Sequence, residues 1–73
     1  MSAGRDALRV RVNGDDRAVP DGTTVADLVA ALGLEARGIA VAVDGEVVTR
    51  RRWRERTLAP GDQVEVLTIA QGG

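Results

Sequence analysis

A chain of 73 residues with neither cysteine nor histidine has material for one small domain held by aliphatic packing. It excludes disulfide frameworks, thiolate metal sites and histidine-based catalysis. Ten basic and eleven acidic residues leave a net charge of −1, which argues against general nucleic-acid binding.

No apolar run approaches the roughly 20 residues of a membrane span, and the N-terminus lacks the apolar core of a signal peptide. A cytoplasmic protein without membrane contact is therefore expected, and the missing cysteines fit a reducing compartment. Every basic residue is arginine, so the only amine in the chain is its N-terminus.

Residues 1–6 are small, polar and aperiodic, and read as a flexible lead-in. Leu8, Val10 and Val12 then alternate with Arg9 and Arg11, the period of a half-buried strand. Asn13-Gly14 is a hairpin turn, because both residues tolerate positive φ. A second strand over roughly Arg17 to Val19 is stopped by Pro20-Asp21-Gly22. The paired acids Asp15-Asp16 are read as solvated turn residues.

A helix follows. Thr24 is placed to cap it, with Asp27 at the third helical position as an acidic variant of the capping box. Val25, Leu28, Val29 and Leu32 make one apolar face, Gly33 is the left-handed terminator, and Leu34 can fold back over the last turn. A helix of two turns is marginal alone, so it must pack on a sheet.

Ile39, Val41 and Val43 form a third alternating strand, and Asp44-Gly45 turns it into Val47 and Val48. Thr49 to Thr57 is arginine-rich and irregular, with Trp53 in its middle and Leu58 anchoring its end. Ala59-Pro60-Gly61-Asp62 suits a type II turn, and a last strand is expected from about Gln63 to Ala70.

The order hairpin, helix, hairpin, irregular segment, strand defines an α+β layer structure, a mixed sheet of four to five strands on one helix. The arrangement that fits best puts the final strand at the sheet centre, between the first and third. That is the β-grasp, or ubiquitin-like, topology; its strand order rests on analogy, because pattern alone does not determine it. Residues 7–70 form this domain and residues 71–73 a flexible tail ending in Gly72-Gly73.

Val47-Val48-Thr49-Arg50-Arg51-Arg52-Trp53 is similar to the I-V-P-R-x-x-W stretch of the ThiS family of bacterial thiamine-pathway sulfur carriers, with Thr49 in place of the usual proline. Gly61-Asp62-Gln63-Val64 resembles its G-D-x-[IV] entry into the last strand. Gly22-Thr23-Thr24-Val25-Ala26-Asp27-Leu28-Val29 resembles its helix opening, and Gly72-Gly73 its obligatory ending. Gln71 departs from the Ala, Val or Gly common before that ending, which bears on how the tail fits a partner.

The resemblance implies that an adenylating enzyme activates the Gly73 carboxylate with ATP, that a sulfur donor system converts it to a thiocarboxylate, and that thiazole synthase takes the sulfur. ATP would be used by the activating enzyme, and no cofactor is expected on the chain itself. Gly73 is then the attachment site, while Gly72 and Gln71 thread the partner's channel. Glycine's missing side chain gives that clearance, and four extended residues reach roughly 13 to 14 Å.

Two other expectations concern surfaces. If Val64 and Val66 face the helix, then Leu67 and Ile69 lie on the outer face of a central strand, beside Arg9, Arg11, Ala40 and Ala42. Leu67, Ile69, Arg9 and Arg11 are accordingly read as a partner-docking face; a bulge returning both apolar side chains to the core would remove it. The five arginines from Arg50 to Arg56 read as a solvated loop, or as complementarity to an acidic partner. Trp53 reads as an anchor for that segment.

No residue set supports catalysis or metal binding by the chain. The alternatives are a small-subunit sulfur carrier of molybdopterin synthase, a protein-conjugating modifier, and a non-catalytic β-grasp interaction module with an incidental tail. The molybdopterin carriers often show aromatic and proline residues before the final glycines, which Leu67-Thr68-Ile69-Ala70-Gln71 lacks.

Overall fold

The computed structural model describes residues 7–69. Strand β1 (Ala7–Val12) turns through Asn13-Gly14 into β2 (Asp15–Pro20), and α1 (Val25–Ala31) crosses the sheet. Strands β3 (Ile39–Val43) and β4 (Glu46–Val48) form the second hairpin, and β5 (Gln63–Thr68) closes the domain. The sheet order is β2-β1-β5-β3-β4, with β5 parallel to β1 and antiparallel to β3. The β-grasp order expected by analogy is therefore the observed one.

Both hairpins turn on residues with positive φ, Asn13 (52°) with Gly14 (88°) and Asp44 (51°) with Gly45 (83°). These paired left-handed turns match the twist of the flanking strands, which explains why Asn-Gly and Asp-Gly stand there. The first hairpin differs from expectation in extent: β2 runs from Asp15 to Pro20. Asp15 and Asp16 are thus strand residues opposite Val12 and Arg11, not turn residues. The two-residue Asn13-Gly14 turn leaves Asp15 as the first residue of β2, and Arg11 Nε donates to Asp16 Oδ1 at 3.3 Å across the ladder.

Alternation sorts each strand into two faces. Leu8, Val10 and Val12 of β1, Ile39, Val41 and Val43 of β3, and Val64 of β5 are buried beneath the helix with Val25, Leu28 and Val29. Each such side chain, fully buried, contributes about 1.5–3 kcal/mol, which stabilises a helix too short to persist alone. Leu32 and Val66 complete the packing from its margin.

The helix start is fully accounted for. The N–H of Asp27 donates to Thr24 Oγ1 and that of Thr24 to Asp27 Oδ2, both at 3.1 Å, so the capping box is formed. The first two helical N–H groups, of Val25 and Ala26, donate to the carbonyls of Arg56 (2.9 Å) and Trp53 (3.1 Å). The arginine-rich segment is therefore not an irregular excursion. It contains a 3₁₀ turn, Arg50–Arg52, and its carbonyls satisfy donors that a helix N-terminus leaves open.

At the other end, Leu34 N–H donates to Val29 O and Gly33 N–H to Ala30 O, a Schellman closure with Gly33 at φ 74°. Leu34 folds back as expected through its backbone, but its side chain remains exposed.

Trp53 is only 4% exposed, and its Nε1–H donates to Val48 O at 2.8 Å. With Leu58 it closes the core edge beside β4, the anchoring role expected of it. The turn before β5 has Asp62 N–H on Ala59 O (3.1 Å) and Gly61 at φ 85°, as a type II turn requires. Buried Asp62 tightens the turn, its Oδ2 accepting from Ala59 N–H at 2.8 Å.

Candidate functional site

The site is built on β5. Its alternation is unbroken from Gln63 to Thr68, with Val64 and Val66 toward the helix and Leu67 outward, so no bulge returns Leu67 to the core. Leu67 is 60% exposed and Ile69, just past the strand, 45%. The strand ends at Thr68 rather than near Ala70, and Ile69 N–H still donates to Gly38 O at 2.8 Å. Ala70 and the tail residues Gln71, Gly72 and Gly73, with the attachment and threading roles expected of them, lie outside the described residues.

Around Leu67 the register assembles a two-toned face. Leu67 pairs with Ala40, Glu65 with Ala42, and Ala42 in turn with Val47 of β4. Val47 is 71% exposed and belongs to this outer face, since its neighbour Val48 pairs with core residue Val41. The sequence reading did not include Val47. The signal was present: a three-residue strand with Val48 inward must send Val47 outward.

Arg9 and Arg11 lie on the same outer face, on β1, on the other side of β5 from β3. Arg11 is engaged by Asp16, whereas Arg9 forms no ion pair among the described residues. The expected four residues thus share one face. They occupy two parts of it, an apolar strip toward β4 (Val47, Ala42, Ala40, Leu67, Ile69) and a charged strip toward β2.

Asn13 holds the root of the tail in place, and sequence reading missed it. Strand β1 ends one residue before Asn13, leaving the backbone of Val66 without a ladder partner on that side. The Asn13 side chain supplies one: Val66 N–H donates to Oδ1 at 2.8 Å, and Nδ2 donates to Val66 O at 3.2 Å. Beside it runs an open groove of about 390 Å³, bordered by Leu32, Leu34, Val66 and Thr68.

Chemically, this arrangement presents a surface and a strand leading to the C-terminus. Among the described residues, no group of three or more carboxylates is placed to hold a metal ion. No helix among them is long and apolar enough to cross a membrane.

A five-stranded mixed sheet on one helix, with the last strand at its centre, defines a ubiquitin-like β-grasp protein. A designed protein based on a human erythrocytic ubiquitin template shares that fold at 16% identity and a TM-score of 0.54, covering 93% of this chain and 96% of its own.

The assignment becomes specific with the family comparison. Residues 10–73 match the model of the ThiS family, and the chain belongs to that family. The "Sulfur carrier protein ThiS" of Thermus thermophilus is 34% identical over 64 residues, spanning 88% of this chain and 98% of the relative. A crystal structure of a thiamine biosynthesis protein (ThiS) from Geobacter metallireducens superposes with a TM-score of 0.79 at 32% identity. It covers 90% of this chain and all of that one. An NMR structure of a thiamine biosynthesis protein from the same organism gives 0.73 at 30% identity, covering 90% and 88%.

Proposed function

We propose that this chain is a sulfur carrier for thiamine biosynthesis, with the Gly73 carboxylate as the group that is activated and loaded. The observation that carries the reading is the family match running through Gly73, on a fold whose central strand, β5, is the last element of the described residues. The relatives' description as sulfur carrier and thiamine biosynthesis proteins supports it.

The chemistry follows from the weakness of a carboxylate as an acylation target. The Gly73 carboxylate attacks the α-phosphorus of ATP on an adenylating enzyme, and pyrophosphate leaves. A hydrosulfide equivalent from the sulfur donor then attacks the acyl carbon, and AMP departs with the bonding electron pair. The resulting thiocarboxylate is a soft nucleophile akin to an activated thiolate, suited to deliver sulfur to a thiazole synthase. The carrier supplies the handle and the tail; its partners supply catalysis.

In this reading the apolar strip of Val47, Leu67 and Ile69 seats the activating enzyme beside the threaded tail. Exposed apolar side chains grouped on one face are the usual mark of such contact. Gly72 and Gln71 occupy the channel, and Arg9 and Arg11 lie at the margin of the contact.

Intact mass spectrometry tests the proposal. Incubation with ATP, a thiamine-pathway adenylating enzyme and a sulfur donor should add about 16 Da, one oxygen exchanged for sulfur at the terminal acyl group. A chain lacking Gly73 should gain nothing. Absence of the gain in the unmodified chain would leave the interaction-module alternative.

A further inference from the structure

The arginine-rich segment has a defined shape that the sulfur-carrier reading does not use. From Glu46 to Arg56 it carries five arginines against Glu46 and Glu55, a local net charge of +3 in a chain of net −1. Two arginines are engaged: Arg52 Nε lies 3.8 Å from Glu55 Oε1, and Arg56 Nη1 donates to Thr57 O at 2.8 Å, 4.0 Å from Asp62 Oδ2. Arg50, Arg51 and Arg54 are exposed and have no carboxylate within 4.0 Å among the described residues.

Their backbone is held firmly. Trp53 is buried between them with its indole N–H on Val48 O. The carbonyls of Trp53 and Arg56 accept from the first turn of α1, and Arg52 N–H donates to Thr49 O at 2.8 Å. Cations mounted on such a scaffold lose less entropy on binding than cations on a free loop.

Position matters as well. Val48 pairs with Val41, which pairs with Val66, so β4 runs toward the sheet end where β5 finishes. Arg50 follows two residues after Val48, just beyond the end of β4.

We infer that Arg50, Arg51 and Arg54 form a rigid cationic rim that docks against an acidic protein surface on the enzyme that activates the tail. This inference rests on the sulfur-carrier reading and adds the charge of the partner surface. A nucleic acid is the poorer fit: the only aromatic side chain is buried, leaving no stacking platform, and the rest of the chain carries a net −4 that repels a polyanion. A complementary protein patch requires only local charge, and accelerates encounter.

The test measures association rates of the full chain with a thiamine-pathway adenylating enzyme by stopped flow over increasing NaCl. The unmodified chain should associate more slowly as salt rises. The triple variant Arg50→Glu, Arg51→Glu, Arg54→Glu should associate about tenfold more slowly at low salt, with the difference closing near 1 M, where screening is nearly complete. The corresponding Gln variant should fall between them, and all three should melt alike. Equal on-rates, or an unmodified rate indifferent to salt, would overturn the inference. If the unmodified chain is loaded with sulfur and the Glu variant associates as fast, only the cationic rim fails. If the unmodified chain neither binds the enzyme nor gains sulfur, the sulfur-carrier reading fails with it.

Discussion

The side chain of Asn13 and the backbone of Val66, 53 residues apart, form a two-hydrogen-bond clamp that imitates a strand pairing. A turn residue thereby extends the β1–β5 ladder past the end of β1 and steadies the last stretch before the tail. Asn13→Gly keeps the positive φ and removes only the clamp. It should lower stability by about 1 kcal/mol in urea unfolding, the worth of such partly exposed bonds. Hydrogen exchange at the Val66 amide should accelerate in the same variant; unchanged protection there would refute the clamp.

Trp53 joins the arginine turn to the core edge. Trp53→Ala should cost about 3–5 kcal/mol, close to the entire stability expected of a small domain, so the variant should be largely unfolded at room temperature. Trp53→Phe keeps most of the burial but leaves Val48 O without the indole donor. A loss of about 1–2 kcal/mol is expected, read as a lowered melting temperature.

Leu67 separates docking from folding. Because it is 60% exposed, Leu67→Asp should change stability by no more than about 0.5 kcal/mol. If the outer face seats the activating enzyme, adenylation measured by pyrophosphate exchange should fall at least tenfold in kcat/KM, on the order of 1.4 kcal/mol. Val47→Asp should behave similarly, since the register places it on the same strip. Wild-type rates in both variants would remove the face from the proposed function.

Gly72→Val tests the tail without touching the fold. Unfolding should match that of the parent chain, while sulfur loading by mass spectrometry should drop to background, because a branched side chain widens the strip that must thread a channel. Full loading would show that clearance at this position is unimportant.

The capping box gives a fifth check, a purely structural one. Thr24→Ala should destabilise by about 1 kcal/mol, with the loss seen in both far-ultraviolet circular dichroism and the denaturation midpoint.

Local rules made the elements legible. Alternation at Leu8-Val10-Val12 and Ile39-Val41-Val43, the Asn-Gly and Asp-Gly turns, and Thr24 with Asp27 all act within a few residues, so their physics is written in adjacent letters. The Gly-Gly ending and its motifs are legible for the same reason. Long-range pairing is not. That β5 lies between β1 and β3, that Val47 joins Leu67 on one face, and that Asn13 reaches Val66 depend on which strands meet and in what register. Asp15 and Asp16 show the limit from the other side: their polarity suggested a turn, but the ladder to Val12 and Arg11 made them a strand. The arginine segment was visible as charge; only the folded chain turned it into a scaffold, because its Trp53 and Arg56 carbonyls found the open donors of Ala26 and Val25, 27 and 31 residues earlier.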